Sequence, residues 1–107
     1  MCGILGVYGN KDAAKLVALG LFAIQHRGQE SCGMAVSDGR IIRFRKKMGL
    51  VKEVFSADKL AELPGRIAIG HVRYPTKGSA TEFNTQPHVV ETLAGPAYGL
   101  ASNGDLV

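Results

Sequence analysis

The chain has 107 residues and a net charge of +4, and 46% of its residues are apolar. This length suits one domain rather than two, and this composition excludes an intrinsically disordered chain. No apolar run approaches the roughly 20 residues needed to cross a bilayer. Lys11, Asp12 and Lys15 near the start exclude a signal peptide, so we expect a cytoplasmic protein with no membrane partner.

Hydrophobic periodicity and turn residues predict an α+β chain. The predicted elements are, in order, a strand over 3–9, a helix capped by Asp12 that ends near His26-Arg27-Gly28 with basic residues in its last turn, strands over 32–37 and 40–46 joined by Asp38-Gly39, a helix over 57–63 opened by Ser56, a strand over 66–72, and a hairpin over 88–93 and 97–101. The polar stretch 74–87 is a long loop of the kind that is usually functional.

A basic stretch, Arg43 to Lys47, falls within one of these strands. Arg43 and Arg45 alternate with Ile42 and Phe44, which predicts a strand with one wet face. The stretch is either a solvated edge strand or a patch that binds nucleic acid or phosphate. We favour the edge strand and expect no nucleic-acid partner, because the charges come without a nucleic-acid motif or interleaved aromatic residues.

Two cysteines have different predicted roles. If Met1 is removed, Cys2 carries a thiol and a free α-amino group on one residue, which joins a nucleophile to a potential base. The alternative is that Cys2 merely follows the start codon. Cys32 lies in an apolar run and is predicted to be a buried small hydrophobe. The spacing of cysteines and histidines fits no zinc pattern, so we predict no metal ligand.

Three further features are ambiguous when each is taken alone. Arg73 follows a buried strand and can clamp a carboxylate, with Thr76 nearby, or it is an ordinary surface arginine. The pair Asn103-Gly104 can supply an amide and a backbone N–H to an oxyanion hole, or it is a type I′ turn. Arg27 can contact the nucleophile or substrate, or it decorates a helix C-terminus.

Four stretches in this order resemble the class II glutamine amidotransferase family. They are Met-Cys-Gly-Ile, Gln-His-Arg-Gly-Gln-Glu, Gly-His-Val-Arg-Tyr-Pro-Thr and Ser-Asn-Gly-Asp-Leu. Within the family they are most similar to the branch that begins purine synthesis from phosphoribosyl pyrophosphate. The resemblance implies an αββα four-layer sandwich of the N-terminal-nucleophile hydrolase type, incomplete at its C-terminal end. Residues 1–107 would form one partial glutaminase domain, with the phosphoribosyltransferase domain outside this chain.

The resemblance also implies roles for individual residues. Cys2 would attack the side-chain amide of glutamine, with its own α-amino group moving the proton. Asn103 and Gly104 match the oxyanion hole, and Arg73 matches the residue that holds the α-carboxylate. The same resemblance places Thr76 in the substrate loop and gives Arg27 a role in supporting the nucleophile. The ammonia released would be used on phosphoribosyl pyrophosphate by the rest of the enzyme.

The remaining expectations concern cofactors, partners and departures from the family. The resemblance implies no cofactor in this segment, Mg²⁺ in the phosphoribosyltransferase domain and a homo-oligomeric parent, and it leaves an iron–sulfur cluster in the parent open. Ser102 stands where the family usually has histidine, and we expect this change to be tolerated because the Asn103-Gly104 pair itself supplies the oxyanion donors. In the family the acidic residue that holds the glutamine α-amino group lies beyond position 107, so we expect weak glutamine binding. The alternatives are a non-catalytic remnant acting as an interaction module, or a glutaminase serving hexosamine or asparagine synthesis.

Overall fold

The fold of the chain is given by a computed structural model that describes residues 2–25, 30–74, 85–93 and 95–102, with only the backbone at 96 and 97. Its elements are β1 Gly3–Tyr8, α1 Ala13–Ile24, β2 Ser31–Ser37, β3 Ile42–Met48, α2 Val51–Val54, α3 Ala57–Ala61, β4 Ile67–Arg73, β5 His88–Thr92 and β6 Gly95–Leu100. The predicted strands, both predicted helices and both hairpins are therefore confirmed, with end points that shift by one or two residues.

Four strands form an antiparallel sheet in the order β1-β4-β2-β3, and β5 pairs with β6 in a second, two-stranded sheet. Side chains alternate between the two faces of a strand, so each strand of the larger sheet divides its residues between two layers. Cys32, Met34 and Val36 of β2 point to the helical side, where they are completely buried. Gly33 and Ala35 point to the opposite side, toward the second sheet.

The core lies between the larger sheet and the helices. Leu21 and Val17 of α1 are completely buried against β4, where a methyl group added to Gly70 would come within 2.8 Å of Leu21 and 2.5 Å of Val17. Apolar residues at i, i+4 and i+8 along α1 supply this contact, as its periodicity predicts. Val51, Val54 and Phe55 extend the same cluster beside α1. Burial of these side chains is the main stabilising contribution that the sequence pattern anticipates.

The second sheet packs on the other face of the larger one. A methyl group added to Gly99 of β6 would lie 3.4 Å from the Ala35 side chain and 3.5 Å from Ile69, at ordinary contact distance. Lys46 Nζ also donates a hydrogen bond to the Pro87 carbonyl at 3.3 Å, across the two sheets. The described residues thus form three layers, which are the helices, the four-stranded sheet and the two-stranded sheet. This arrangement is consistent with an incomplete α+β sandwich.

Several local predictions are wrong in detail. Asp12 precedes α1 but its side chain makes no capping bond, and instead Asn10 Oδ1 accepts the Asp12 amide at 2.8 Å. The helix ends at Ile24 with no basic residue in its last turn. Ser56 likewise precedes α3 without a side-chain cap. The one-turn helix α2 was not predicted, and the Glu53 carboxylate, which accepts the Leu50 amide at 3.1 Å, closes its first turn.

The edge position of the basic strand is confirmed, because β3 is the last strand of the larger sheet. The prediction that Arg43 and Arg45 form a solvent-exposed face of this strand is wrong. Arg45 pairs in register with buried Met34 and faces the helical side, where its Nε donates to the Val54 carbonyl at 2.8 Å. Phe44, on the opposite face, is 37% exposed. This hydrogen bond holds Arg45 against α2, so solvent exposure along β3 does not follow the alternation of charged and apolar residues.

Candidate active site

Three residues, Arg73, Ser31 and Cys2, come together at one end of the larger sheet, where β4 ends and β2 and β1 begin. Arg73 is the last residue of β4, and Ser31, the first residue of β2, is its direct partner in register. On the other side of β4, Gly3 of β1 pairs with Val72. Because neighbouring strands lie about 4.8 Å apart, the residue that precedes Gly3 in the chain, Cys2, comes to the same end of the sheet as Arg73.

The alternation of side chains also assigns Cys2 to a face. Gly3 faces the helical side, since a methyl group added to it would lie 2.7 Å from Ile24. The preceding residue, Cys2, therefore extends toward the second sheet, which is the side that Arg73 also faces. Cys2 is a free, half-buried thiol. A thiol and a guanidinium are thus brought to one end and one face of the sheet from positions 71 residues apart in sequence.

Arg73 is only 6% exposed although it carries a permanent charge. Its backbone carbonyl accepts the Glu30 amide at 2.8 Å, which ties the end of β4 to the residue before β2. A guanidinium presents a rigid fork of donors, and a buried one binds a carboxylate more strongly than a surface one. The interpretation of Arg73 as an ordinary surface arginine is therefore wrong.

Two buried polar residues near this end of the sheet were not identified as functional from the sequence. His71, two residues before Arg73, is completely buried, and its Nε2 lies 3.0 Å from the Ser102 carbonyl. Burial lowers the pKa of His71 below its ordinary value, although the bond to Ser102 acts in the opposite direction. Gln86 is 3% exposed, and its Oε1 accepts the Ser102 amide at 2.7 Å. The sequence does contain one signal, since His71 lies inside an apolar strand. Buried polar groups are nearly always hydrogen-bonded, so a histidine at such a position is expected to have a specific partner.

The other predicted site residues lie outside the described part of the chain. These are Arg27, Thr76, Asn103 and Gly104, and their roles stay predictions. Among the described residues, no three His, Cys, Asp or Glu side chains are grouped so that they could hold a metal ion. In the same residues, no helix is long and apolar enough to span a membrane.

Cys32 occupies the position predicted for it. It is completely buried, and its Sγ lies 3.7 Å from the Gly49 carbonyl. Burial raises the pKa of this thiol to about 12. A thiol held protonated in the core is a poor nucleophile, so of the two cysteines only Cys2 is placed for reaction.

A separate cleft of about 590 Å³ lies between β3 and α3, away from the end of the sheet where Cys2 lies. Its charged lining includes Arg43, which pairs with Asp38 at 2.7 Å, and Lys59, which pairs with Glu62 at 3.6 Å. These two ion pairs place a carboxylate beside two of the five cationic side chains that line the cleft. None of the residues that line this cleft is Cys2 or Arg73, so the cleft is separate from the place where those two residues come together.

Solved structures with the same fold define the class of protein. One is described as the allosteric regulatory enzyme of purine biosynthesis, with a TM-score of 0.79 and 36% identity over 87% of this chain and 20% of that chain. Another is the glutamine phosphoribosylpyrophosphate amidotransferase of B. subtilis complexed with ADP and GMP, with a TM-score of 0.74 and 35% identity over 86% of this chain and 19% of that one. The chain thus has the α+β fold of an N-terminal-nucleophile glutamine amidotransferase, which confirms the predicted fold class.

The curated relatives that match this chain in sequence are amidophosphoribosyltransferases. The amidophosphoribosyltransferases of Synechocystis and Methanocaldococcus jannaschii are each 50% identical to this chain, and that of Mycobacterium tuberculosis is 48% identical. These matches cover at least 99% of this chain but 21%, 23% and 20% of the relatives. No protein-family model matches the chain. The chain is therefore a relative of amidophosphoribosyltransferase that spans about a fifth of that enzyme's length.

Proposed function

We propose that this chain is the glutamine-hydrolysing part of an amidophosphoribosyltransferase, with residues 1–107 forming part of its glutaminase domain. The observation that carries the proposal is the placement of Cys2 beside buried Arg73, one residue beyond the Gly3–Val72 pair. The clamp and the nucleophile stand on strands about 4.8 Å apart, a span that a short amino-acid side chain can bridge. Glutamine held by its α-carboxylate at Arg73 would then present its amide to the Cys2 thiol.

The proposed reaction has two covalent steps. The Cys2 sulfur bonds to the amide carbon, the α-amino group of Cys2 takes the thiol proton and passes it to the leaving nitrogen, and the C–N bond breaks to release ammonia. Water then attacks the thioester, which releases glutamate and restores the thiol. Asn103 and Gly104 would donate hydrogen bonds to the oxyanion in both steps. Arg27 would support the nucleophile and Thr76 would contact the substrate.

The ammonia would be used elsewhere in the enzyme. We propose that the complete polypeptide transfers it to phosphoribosyl pyrophosphate to make 5-phosphoribosylamine, the first step of purine synthesis, in a phosphoribosyltransferase domain outside this chain. Mg²⁺ would act in that domain, and no residue described in this chain is assigned to it. We also propose a cytoplasmic location, because two free thiols suit a reducing compartment. Cell fractionation that finds the protein in an oxidising compartment would contradict this location.

Replacing the nucleophile tests the proposed function in the complete gene product. Cys2→Ala should abolish glutamine-dependent product formation and spare the ammonia-dependent reaction, because only the source of ammonia is lost. Cys32→Ala is the matched control, since that thiol is buried away from the site, and it should keep both activities. Retention of glutamine use by Cys2→Ala would refute the mechanism.

The proposal also requires that Met1 be removed. An intact Met1 would tie the Cys2 amino group into a peptide bond, where it cannot accept a proton. Mass spectrometry of the natural protein should therefore find Cys2 as the first residue. Active protein that retains Met1 would contradict the role of the α-amino group.

A further inference from the structure

Two buried side chains from different parts of the fold hold the backbone of Ser102. His71 belongs to β4, and its Nε2 lies 3.0 Å from the Ser102 carbonyl oxygen. Gln86 precedes β5, and its Oε1 accepts the Ser102 amide at 2.7 Å. Both backbone groups of this one residue are thus bonded to side chains, at separations of 31 and 16 residues in sequence.

The chemistry of these two bonds is well defined. A carbonyl oxygen only accepts hydrogen bonds, so His71 Nε2 must carry a proton and donate it. Burial lowers the pKa of His71, which favours the neutral ring with that proton on Nε2. Gln86 receives the Ser102 amide proton on its carboxamide oxygen, which orients the side-chain amide. Together the two bonds set the position and the direction of the Ser102 backbone.

Ser102 is the residue directly before Asn103 and Gly104 in the chain. Its carbonyl and the next amide nitrogen belong to one planar peptide group, so a donor that orients the carbonyl also orients that plane. Donors of an oxyanion hole act only within hydrogen-bond distance of the forming oxyanion, and an error of about 1 Å costs roughly 100-fold in rate. Holding Ser102 is therefore a means of placing the two residues that follow it.

The position of His71 relates this support to the rest of the site. His71 pairs in register with Ile4 of β1 and Gly33 of β2, so it stands on the face of the sheet that Arg73 also faces, two residues away. The absence of a side chain at Gly33 lets the Gln86 backbone approach β2 closely. The strand that carries the carboxylate clamp therefore also carries the support for the residue that precedes the predicted oxyanion hole.

We propose that His71 and Gln86 are positioning residues that hold Ser102 and thereby place the Asn103-Gly104 oxyanion hole relative to Cys2. This inference rests on the proposed glutaminase function. Neither side chain is assigned contact with glutamine. Their effect is on the transition state, because the oxyanion forms only there, and so it falls on kcat rather than on KM.

The test measures glutamate formation by the complete gene product for variants of the two residues. His71→Phe keeps the ring volume and removes the donor, and it should lower kcat by about 10- to 100-fold with KM within about threefold. His71→Gln places an amide N–H near the former Nε2 and should recover kcat to within about fivefold of wild type. Gln86→Met removes the acceptor at similar volume and should lower kcat in the same way. His88→Gln, at the other described histidine, is the matched control and should leave kcat within about twofold of wild type.

Specific outcomes would overturn the proposal. An unchanged kcat in His71→Phe, or a raised KM with kcat unchanged, would show that the hydrogen bond does not act through the oxyanion hole. Equal losses in His71→Phe and His71→Gln would indicate packing alone. If His71→Phe does not fold, His71→Gln and Gln86→Met decide the question, and an unchanged kcat in Gln86→Met refutes the proposal.

Cys2→Ala, assayed alongside, separates this inference from the proposed function. If Cys2→Ala still hydrolyses glutamine, the glutaminase assignment fails. If Cys2→Ala is inactive while the His71 and Gln86 variants have wild-type kcat, the glutaminase stands and only the positioning roles fail.

Discussion

Replacing Gly33 with alanine should force apart the two sheets of the sandwich. Gly33 lies near the middle of β2, between Lys46 of β3 and His71 of β4 in register. A Cβ atom added there would overlap the Gln86 carbonyl oxygen and lie 2.8 Å from the Lys46 Cβ. The overlap is with backbone rather than with the end of a flexible side chain, so relief requires the second sheet or β2 to move.

The expected loss combines two opposing effects. Alanine in place of glycine in a strand stabilises by about 0.5–1 kcal/mol, because the unfolded chain loses conformational freedom. Overpacking costs about 1–3 kcal/mol, and the backbone contact places Gly33→Ala at the upper end of that range. The net loss is about 2–2.5 kcal/mol, which lowers the urea midpoint by roughly 1–2 M. Displacement of Gln86 should also lower kcat through Ser102.

Urea unfolding followed by far-ultraviolet circular dichroism measures the change in stability, with Gly6→Ala as a matched control. A Cβ atom added to Gly6 would lie 3.7 Å from the Ala68 carbonyl oxygen and 3.9 Å from Ile69, at ordinary contact distances. Gly6→Ala should therefore stabilise the chain by about 0.5–1 kcal/mol. If Gly33→Ala raises the midpoint as much as Gly6→Ala does, the sheets are not in contact at Gly33 and the reasoning is wrong.

Further predictions concern the thiols, the first hairpin and the core. A thiol reagent at pH 8 should modify Cys2 at once and Cys32 only after denaturant is added, because the pKa of buried Cys32 is about 12, and rapid loss of both thiols would contradict this placement. The amide of Ile41, the Arg43 side chain and the amide of Arg40 hold the pKa of the Asp38 carboxyl well below its ordinary value, so this carboxylate contributes stability above pH about 4 that is lost as the pH falls, and Asp38→Asn should flatten that loss in acid titrations. Leu21→Ala should cost about 2–5 kcal/mol in urea unfolding, and Leu19→Ala, at a site 61% exposed, should cost less than about 0.5 kcal/mol; equal costs would show that α1 buries a different face.

Much of the local structure follows from residues close together in sequence. The Asp38-Gly39 turn is predicted because glycine adopts the positive φ of 92° found there, and Asp38 Oδ1 accepts the following amides of Arg40 and Ile41 at 2.8 and 2.9 Å. The helix α1 follows from its apolar spacing. The end of α1 and the one-turn helix α2 were not predicted correctly, because their hydrogen bonds depend on side chains such as Glu53 and on packing against the sheet.

The chemistry of the site was predicted one residue type at a time. The position of Cys2 beside the chain terminus and the character of Arg73 are visible in the sequence, and their order along the chain resembles a known family. The supporting residues His71 and Gln86 were not identified, since each forms its bond with a residue far along the chain. Periodicity indicates that a residue is buried, but it does not indicate which backbone group the residue meets.

The sequence alone therefore determined the kinds of element, the buried state of Cys32 and the set of candidate chemical groups. Only the tertiary structure decided that β4 lies between β1 and β2, which brings Cys2, Arg73 and Ser31 to one end and one face of the larger sheet. The physical reason is that alternation of apolar residues is a local property of a strand, whereas the choice of partner strand depends on how two sheets and a helix bury their faces together.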